Sequence, residues 1–245
     1  MRAIFVGISV CLWVSFALGQ TTYSNIDDVQ SFAPPTGWGY CTSCAGGANT
    51  VDNFWMALNQ TTPSSDGAST QFDMSASKPW SNVLFYNKLG ANDSVTHFTW
   101  DFYFWVDTAS TKLAALEFDI FQFIVPTEYM FGSQCTYATG YWDVWNASTH
   151  RWISTSLRCP VFTTNTWHHI VWQVHRTKGN KLMHYDSVTI DGVQHTLNIA
   201  EPSGALPSGW SDMMGVQWQL DGPGDVNKLP ITTNEWIDKA KLTVW

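Results

Sequence analysis

Residues His97–Val106 read HFTWDFYFWV, and every second position is large and apolar: Phe98, Trp100, Phe102, Phe104 and Val106. Between them stand His97, Thr99, Asp101, Tyr103 and Trp105. Successive side chains of an extended strand point to opposite faces, so this segment predicts a strand with one face for a core and one polar, aromatic face. The pattern recurs along the chain. In Trp167–Arg176 (WHHIVWQVHR), Ile170, Trp172 and Val174 share one face, with Val171, Gln173 and His175 opposite. In Gly215–Asp221 (GVQWQLD), Val216, Trp218 and Leu220 alternate with Gln217, Gln219 and Asp221. Asp191-Gly192, set between two strand-like runs, predicts a tight hairpin. Helical periodicity is almost absent, and no linker, repeat or charge run divides the chain. One all-β domain over residues 20–245 follows, a two-sheet antiparallel β-sandwich.

Composition narrows the partners. The chain has 245 residues, 15 Trp, 12 Lys plus Arg against 20 Asp plus Glu, and a formal net charge of −8. So few cations argue against a nucleic-acid backbone as partner. Met1 and Arg2 precede an apolar run, Ala3–Leu18, that ends in Ala17-Leu18-Gly19, the pattern of a secretory signal peptide over residues 1–19. The run is short for a membrane span and lacks a charged stop-transfer flank, and no later segment is apolar for long enough to span a bilayer. Its removal takes away Arg2 and Cys11 and moves the net charge from −8 to −9. The expected location is secreted or extracellular, with the periplasm or a cell surface as variants. Cys41, Cys44, Cys135 and Cys159 then read as two disulfides with three possible pairings. Cys41–Cys44 with Cys135–Cys159 is preferred, because each pair is local. A redox CxxC or a four-thiolate zinc site are the alternatives, and neither has the surroundings it needs. No metal or cofactor is expected, although Asp221-Gly222-Pro223-Gly224-Asp225 offers oxygens for a structural Ca²⁺ if it is not a plain turn.

Leu116–Phe123 reads LEFDIFQF. Alternation puts Leu116, Phe118 and Ile120 inward and Glu117 and Asp119 on the polar face. An uninterrupted strand would bury Gln122, so a one-residue bulge after Asp119 is expected to return it to the polar face. The row Glu117, Asp119, Gln122 resembles the E-x-D-x-x-E signature of the family-16 glycoside hydrolases, within the concanavalin A-like lectin/glucanase superfamily. That resemblance implies a concanavalin A-like jelly roll. In an enzyme it would make Glu117 the nucleophile and Asp119 its assistant, with Gln122 where the acid/base belongs. Retaining hydrolysis needs two carboxyl groups about 5–5.5 Å apart. An amide can bind a glycosidic oxygen but cannot protonate it. Asp101, Asp143 and Asp221 are carboxyls that could face the groove as substitutes. The sequence is also similar to uncharacterised secreted acidobacterial proteins, through EFD-x-x-QF, the paired Cys and the Asp-Gly hairpin. Gln173-Val174-His175 resembles the Q-[IV]-H motif of family-seven alginate lyases, whose later Tyr and Lys have no counterpart in Gly215–Gln219.

The polar faces together predict one groove that binds a glycan. Asp101, Tyr103, Trp105, Gln173 and His175 are expected to line it with Glu117, Asp119, Gln122, Trp145, Gln217, Gln219 and Asp221. Trp105 and Trp145 are the stacking candidates, since a sugar presents an apolar C–H face to an indole and hydroxyls to amides and carboxyls. The expected function is a secreted, lectin-like carbohydrate-binding domain. A family-16-like endo-acting hydrolase on a β-glucan or galactan, and a structural or adhesive envelope protein, are the alternatives.

Overall fold

The computed structural model describes residues 19–24, 37–42, 44, 46–179 and 181–245. Residues 1–18 of the expected signal peptide lie outside the described residues. Two sheets face each other. The first contains β4 (Asn53–Gln60), β5 (Ser69–Ala76), β7 (His97–Val106), β12 (Trp167–Arg176), β13 (Leu182–Ile190), β14 (Val193–Pro202) and β17 (Ile231–Val244). Their order is β14-β13-β12-β7-β17-β5-β4, with β1 (Thr21–Tyr23) beside β17. The second contains β2 (Gly37–Cys41), β6 (Ser81–Gly90), β8 (Ala115–Ile124), β9 (Thr127–Thr136), β10 (Tyr141–Asn146), β11 (Arg151–Arg158) and β16 (Met213–Asp221). Here the order is β11-β10-β9-β8-β16-β6-β2, and the short β3 (Asn49–Thr50) and β15 (Gly204–Ala205) pair with β6 and β9. Neighbours are antiparallel except β3 and β6.

The inward residues of both sheets interdigitate as an aromatic core. Phe118 of β8 meets Phe102 and Trp100 of β7 edge-on, with ring centroids 5.0 and 5.8 Å apart. Trp218 of β16 meets Phe102 at 5.7 Å, and its indole N–H donates to Glu235 Oε2 of β17 at 3.0 Å. Each such fully buried apolar side chain contributes about 1.5–3 kcal/mol, so core packing is reason enough for Trp38, Trp100, Trp142, Trp172 and Trp218. The Asp-Gly hairpin joins β13 and β14, with φ of +49° at Asp191 and +84° at Gly192, as a two-residue primed turn requires. Both disulfides pair locally: Cys41–Cys44, and Cys135–Cys159, which ties β9 to the end of β11 across β10.

The bulge after Asp119 is absent. β8 keeps unbroken register with β9 from Ala115 to Ile124, and with β16 from Leu116 to Phe123. Gln122 therefore points inward and has no solvent exposure. Its amide donates to the carbonyls of Asn92 and Val95 at 2.7 and 3.2 Å. Its oxygen accepts from Arg176 Nε at 2.5 Å. A buried amide is stable where its polar atoms are paired, and this one is.

Candidate functional site

Unbroken register makes the outer face of the second sheet a ladder of cross-strand rows. In the first row Asp143 (β10), Gln134 (β9), Glu117 (β8) and Gln219 (β16) are successive neighbours. Gln134 Nε2 donates to Asp143 Oδ2 at 3.1 Å, and Gln219 Nε2 donates to Asp221 Oδ1 at 2.9 Å. Glu117 hydrogen-bonds to Asp221 and Gln219. In the second row Gly132, Asp119, Gln217 and Tyr86 are successive partners. Asp119 Oδ1 there accepts the Ser133 N–H at 3.1 Å. In the third, Met130, Phe121 and Gly215 follow one another, and in the fourth, Glu128, Phe123 and Met213.

Two glycines make this face. A Cβ at Gly132 would lie 2.6 Å from the Trp145 Cβ, and one at Gly215 would lie 2.5 Å from the Phe121 ring. Their absent side chains let the Trp145 indole and the Phe121 ring lie close against the sheet. Trp145 packs edge-to-face on Trp152 of β11 at 5.1 Å. With Tyr40 and Tyr86 towards the other edge of the sheet, and Trp210 at the far end, they bound a groove of about 1060 Å³.

On the floor of the first two rows Glu117, Asp119 and their neighbour Asp221 are all raised above the usual carboxylate range. Burial pushes Asp119 up to about 8, with the Ser133 N–H opposing and the Asp221 charge adding to the rise. Glu117 is raised well above the usual carboxylate range by burial, by the charges of Asp221 and Asp119, and by its hydrogen bond to Asp221. Asp221 is raised by burial, against hydrogen bonds from Glu117, Gln219 and Asn82. Glu128 is raised by burial, with His150 opposing. Three neighbouring carboxyls thus shift in the same direction, and a cluster that shares protons offers donors as well as acceptors.

The residues expected in one groove divide among three places. Glu117, Asp119, Trp145, Gln217 and Gln219 line it, and Asp221 holds Glu117. Gln122 is in the core. Asp101, Tyr103, Trp105, Gln173 and His175 belong to β7 and β12, so they lie on the outer face of the first sheet, on the opposite side of the sandwich. There they pair among themselves and with their neighbours. Asp101 accepts from His169 at 2.8 Å and Lys241 at 2.9 Å. Tyr103 stacks on His169 at 4.3 Å, and Trp105 meets Trp236 edge-on at 4.8 Å. Gln173 Oε1 accepts from Ser187 and Gln194. His175 stacks between His97 and His184 and bonds to Asp186 at 2.9 Å. Alternation reveals which residues share a face of their own strand, not which sheet the strand joins.

Tyr86, Trp152 and Trp210 line the groove without having been singled out in the sequence, and so does Glu128, which follows Pro126 where the sequence suggests a loop but stands in β9. Glu128 had a readable signal. Glu128, Met130, Gly132 and Gln134 alternate with Tyr129, Phe131 and Ser133 immediately after the Val125-Pro126 turn, which marks a strand rather than a loop. Among the described residues no cluster of three or more His, Cys, Asp or Glu could hold a metal ion. Asp221 is turned to Glu117, and Asp225 accepts from the backbone N–H of Asn227 at 2.9 Å, capping a short 3₁₀ turn.

No protein-family model matches the sequence, and no curated protein matches it. Among solved structures, the cellulose induced protein Cip1 aligns over 84% of this chain and 90% of its own, with TM-score 0.51 and 10% identity. The basic winged bean lectin with Tn-antigen aligns over 93% and 99%, with TM-score 0.47 and 12% identity. The alginate lyase Aly36B aligns over 73% and 81%, with TM-score 0.45 and 10% identity. At such identities likeness speaks for architecture alone. Two facing antiparallel sheets, an aromatic core between them and the superposition on Cip1 together give this chain a two-sheet β-sandwich of the jelly-roll type.

Proposed function

We propose that this protein is exported and binds a neutral glycan in the groove of the second sheet, without hydrolysing it. The observation that carries the reading is the adjacency of the Glu117, Asp119, Gln217 and Gln219 ladder to the Trp145 indole. Stacking suits the C–H face of a sugar ring, and the amides and protonated carboxyls suit its hydroxyls. A volume of about 1060 Å³ leaves room for more than a single ring. Ionisation at the floor would add charge to a buried cluster, which favours neutral over uronic sugars. Two disulfides and the signal-like leader support an extracellular setting.

Retaining hydrolysis asks for one ionised carboxylate and one protonated acid, in environments that push their pKa values apart. Glu117, Asp119 and Asp221 are shifted in the same direction rather than apart, and Gln122, where the family signature has its acid/base, points into the core, which supports binding over hydrolysis. Isothermal titration against cello-, laminari-, β-1,4-galacto- and oligogalacturonide series tests the reading. A neutral series is expected to bind, with affinity falling roughly tenfold or more in Trp145→Ala, the scale of one lost stacking contact. Flat isotherms throughout would sink it and favour the structural or adhesive alternative. Release of reducing ends, abolished by Glu117→Gln, would replace binding with hydrolysis.

A further inference from the structure

The groove changes chemistry along β8. From Glu117 to Asp119 its floor consists of carboxyls and amides. From Phe121 onward it is mainly apolar, built of Phe121, Phe123, Met130 and Met213 with Glu128 and Lys88 at its sides and Trp210 at the rim, 49% exposed. The Phe121 and Phe123 rings stack at 4.9 Å, and Trp210 meets Phe123 at 5.2 Å. Phe121, Phe123 and Leu206, themselves buried, form a small apolar cluster separate from the main core on the outer face of the sheet, with the partly exposed Tyr86, Met130 and Met213 packed against it. The segment that covers it is fixed at both ends. Leu206 N–H donates to the Pro126 carbonyl at 2.9 Å, and Asp212 Oδ1 accepts from the Val125 N–H at 2.7 Å. Trp210 is thus held over the end of the β8–β9 hairpin. Six residues separate Glu117 from Phe123, or about 20 Å of extended strand, so both halves can meet one ligand.

A second sugar ring at the apolar end would meet mostly Met, Phe and Trp side chains, with Glu128 only at the side, where its hydroxyls need polar partners. Each hydroxyl left unpaired there costs about 1–3 kcal/mol. An alkyl, aryl or acyl group incurs no such cost and gains from leaving water. We propose, resting on the glycan reading of the groove, that its ligand is an amphipathic glycoconjugate: a neutral sugar seated on the Glu117–Gln219 floor, carrying an apolar substituent that lies along Phe121, Phe123, Met213 and Trp210.

The test uses the full chain and two probes per sugar, the methyl and phenyl β-glycosides of cellobiose, laminaribiose and β-1,4-galactobiose. The phenyl glycoside of the sugar that binds is expected to bind about tenfold more tightly than the methyl one, the scale of burying one phenyl-sized group. The phenyl-to-methyl affinity ratio should fall towards one in Trp210→Ala and in Met213→Gln. Gln219→Ala should weaken both probes and keep the ratio. A ratio near one in the unmodified protein overturns the inference and leaves sugar binding intact. So does a ratio that survives both apolar-end substitutions. Failure of every probe to bind overturns the glycan reading and this inference with it.

Discussion

A glutamine shielded from solvent in an aromatic core needs partners for its oxygen and its amide hydrogens, and Gln122 takes them from Arg176, Asn92 and Val95. Arg176 in turn donates from Nη2 to the carbonyls of Asp93 and Val95 at 2.6 and 2.9 Å, pinning the loop between β6 and β7. Gln122→Leu would strand the Arg176 Nε–H, and we expect a loss of about 1–3 kcal/mol in urea unfolding, the cost of a buried donor without its acceptor. Gln122→Glu keeps an acceptor for the Arg176 Nε–H but sets a carboxylate oxygen against the Asn92 and Val95 carbonyls, so it is expected to fold with lowered stability. It should release no reducing ends from any oligosaccharide, since position 122 faces away from the groove. Hydrolysis gained by that variant would contradict the placement. Glu117 and Asp119 were legible in the sequence because alternation alone puts them on one face. Alternation alone also turns Gln122 inward, and the expected bulge moved it outward only because the partners that let an amide stay buried come from residues 27 to 54 positions away.

At the scale of elements, β8 presents the site because β9 and β16 flank it in unbroken register and supply glycines where aromatic rings must lie close. Gly132→Ala puts a methyl 2.6 Å from the Trp145 Cβ, so something must shift. Overpacking of this kind typically costs about 1–3 kcal/mol, to be read as a lowered unfolding midpoint. Titration should show weaker glycan binding in the same variant, because the Trp145 ring moves. Strand identity in β7, β12 and β16 was open to reading from two-residue periodicity, and the β13–β14 hairpin from Asp-Gly. The assignment of strands to sheets was not. β7 lies between β12 and β17, and β8 pairs with β16 as well as with its hairpin partner β9, so all of these pairings but β8–β9 join segments far apart in sequence. Such pairings rest on the complementarity of whole faces, and no local pattern encodes it. Hence Trp105 and Trp145, equivalent as polar-face aromatics in the sequence, stand on opposite sides of the molecule.

Over the whole molecule, buried carboxyls couple stability to pH. Burial pushes Glu235, in the core beneath the Trp218 indole, up to about 8, with the Trp218 hydrogen bond opposing and the Asp107 charge adding. Asp119 also lies at about 8. These groups bind more protons folded than unfolded between their ordinary values near 4 and the raised ones. Their stabilisation is therefore fully present below about pH 4 and is lost as pH rises through about 8. Glu235→Gln removes one titrating group, so the decline in urea-unfolding stability from pH 5 to pH 8.5 should be shallower in the variant than in the unmodified protein. Equal slopes would show that Glu235 does not change its proton occupancy on folding. The central claim is that the ligand face is the outer side of the second sheet, and assigned indole N–H resonances read it directly. With a neutral oligosaccharide at saturation, Trp145 and Trp152 should shift while Trp105 and Trp236 stay in place; shifts confined to Trp105 and Trp236 would contradict the account.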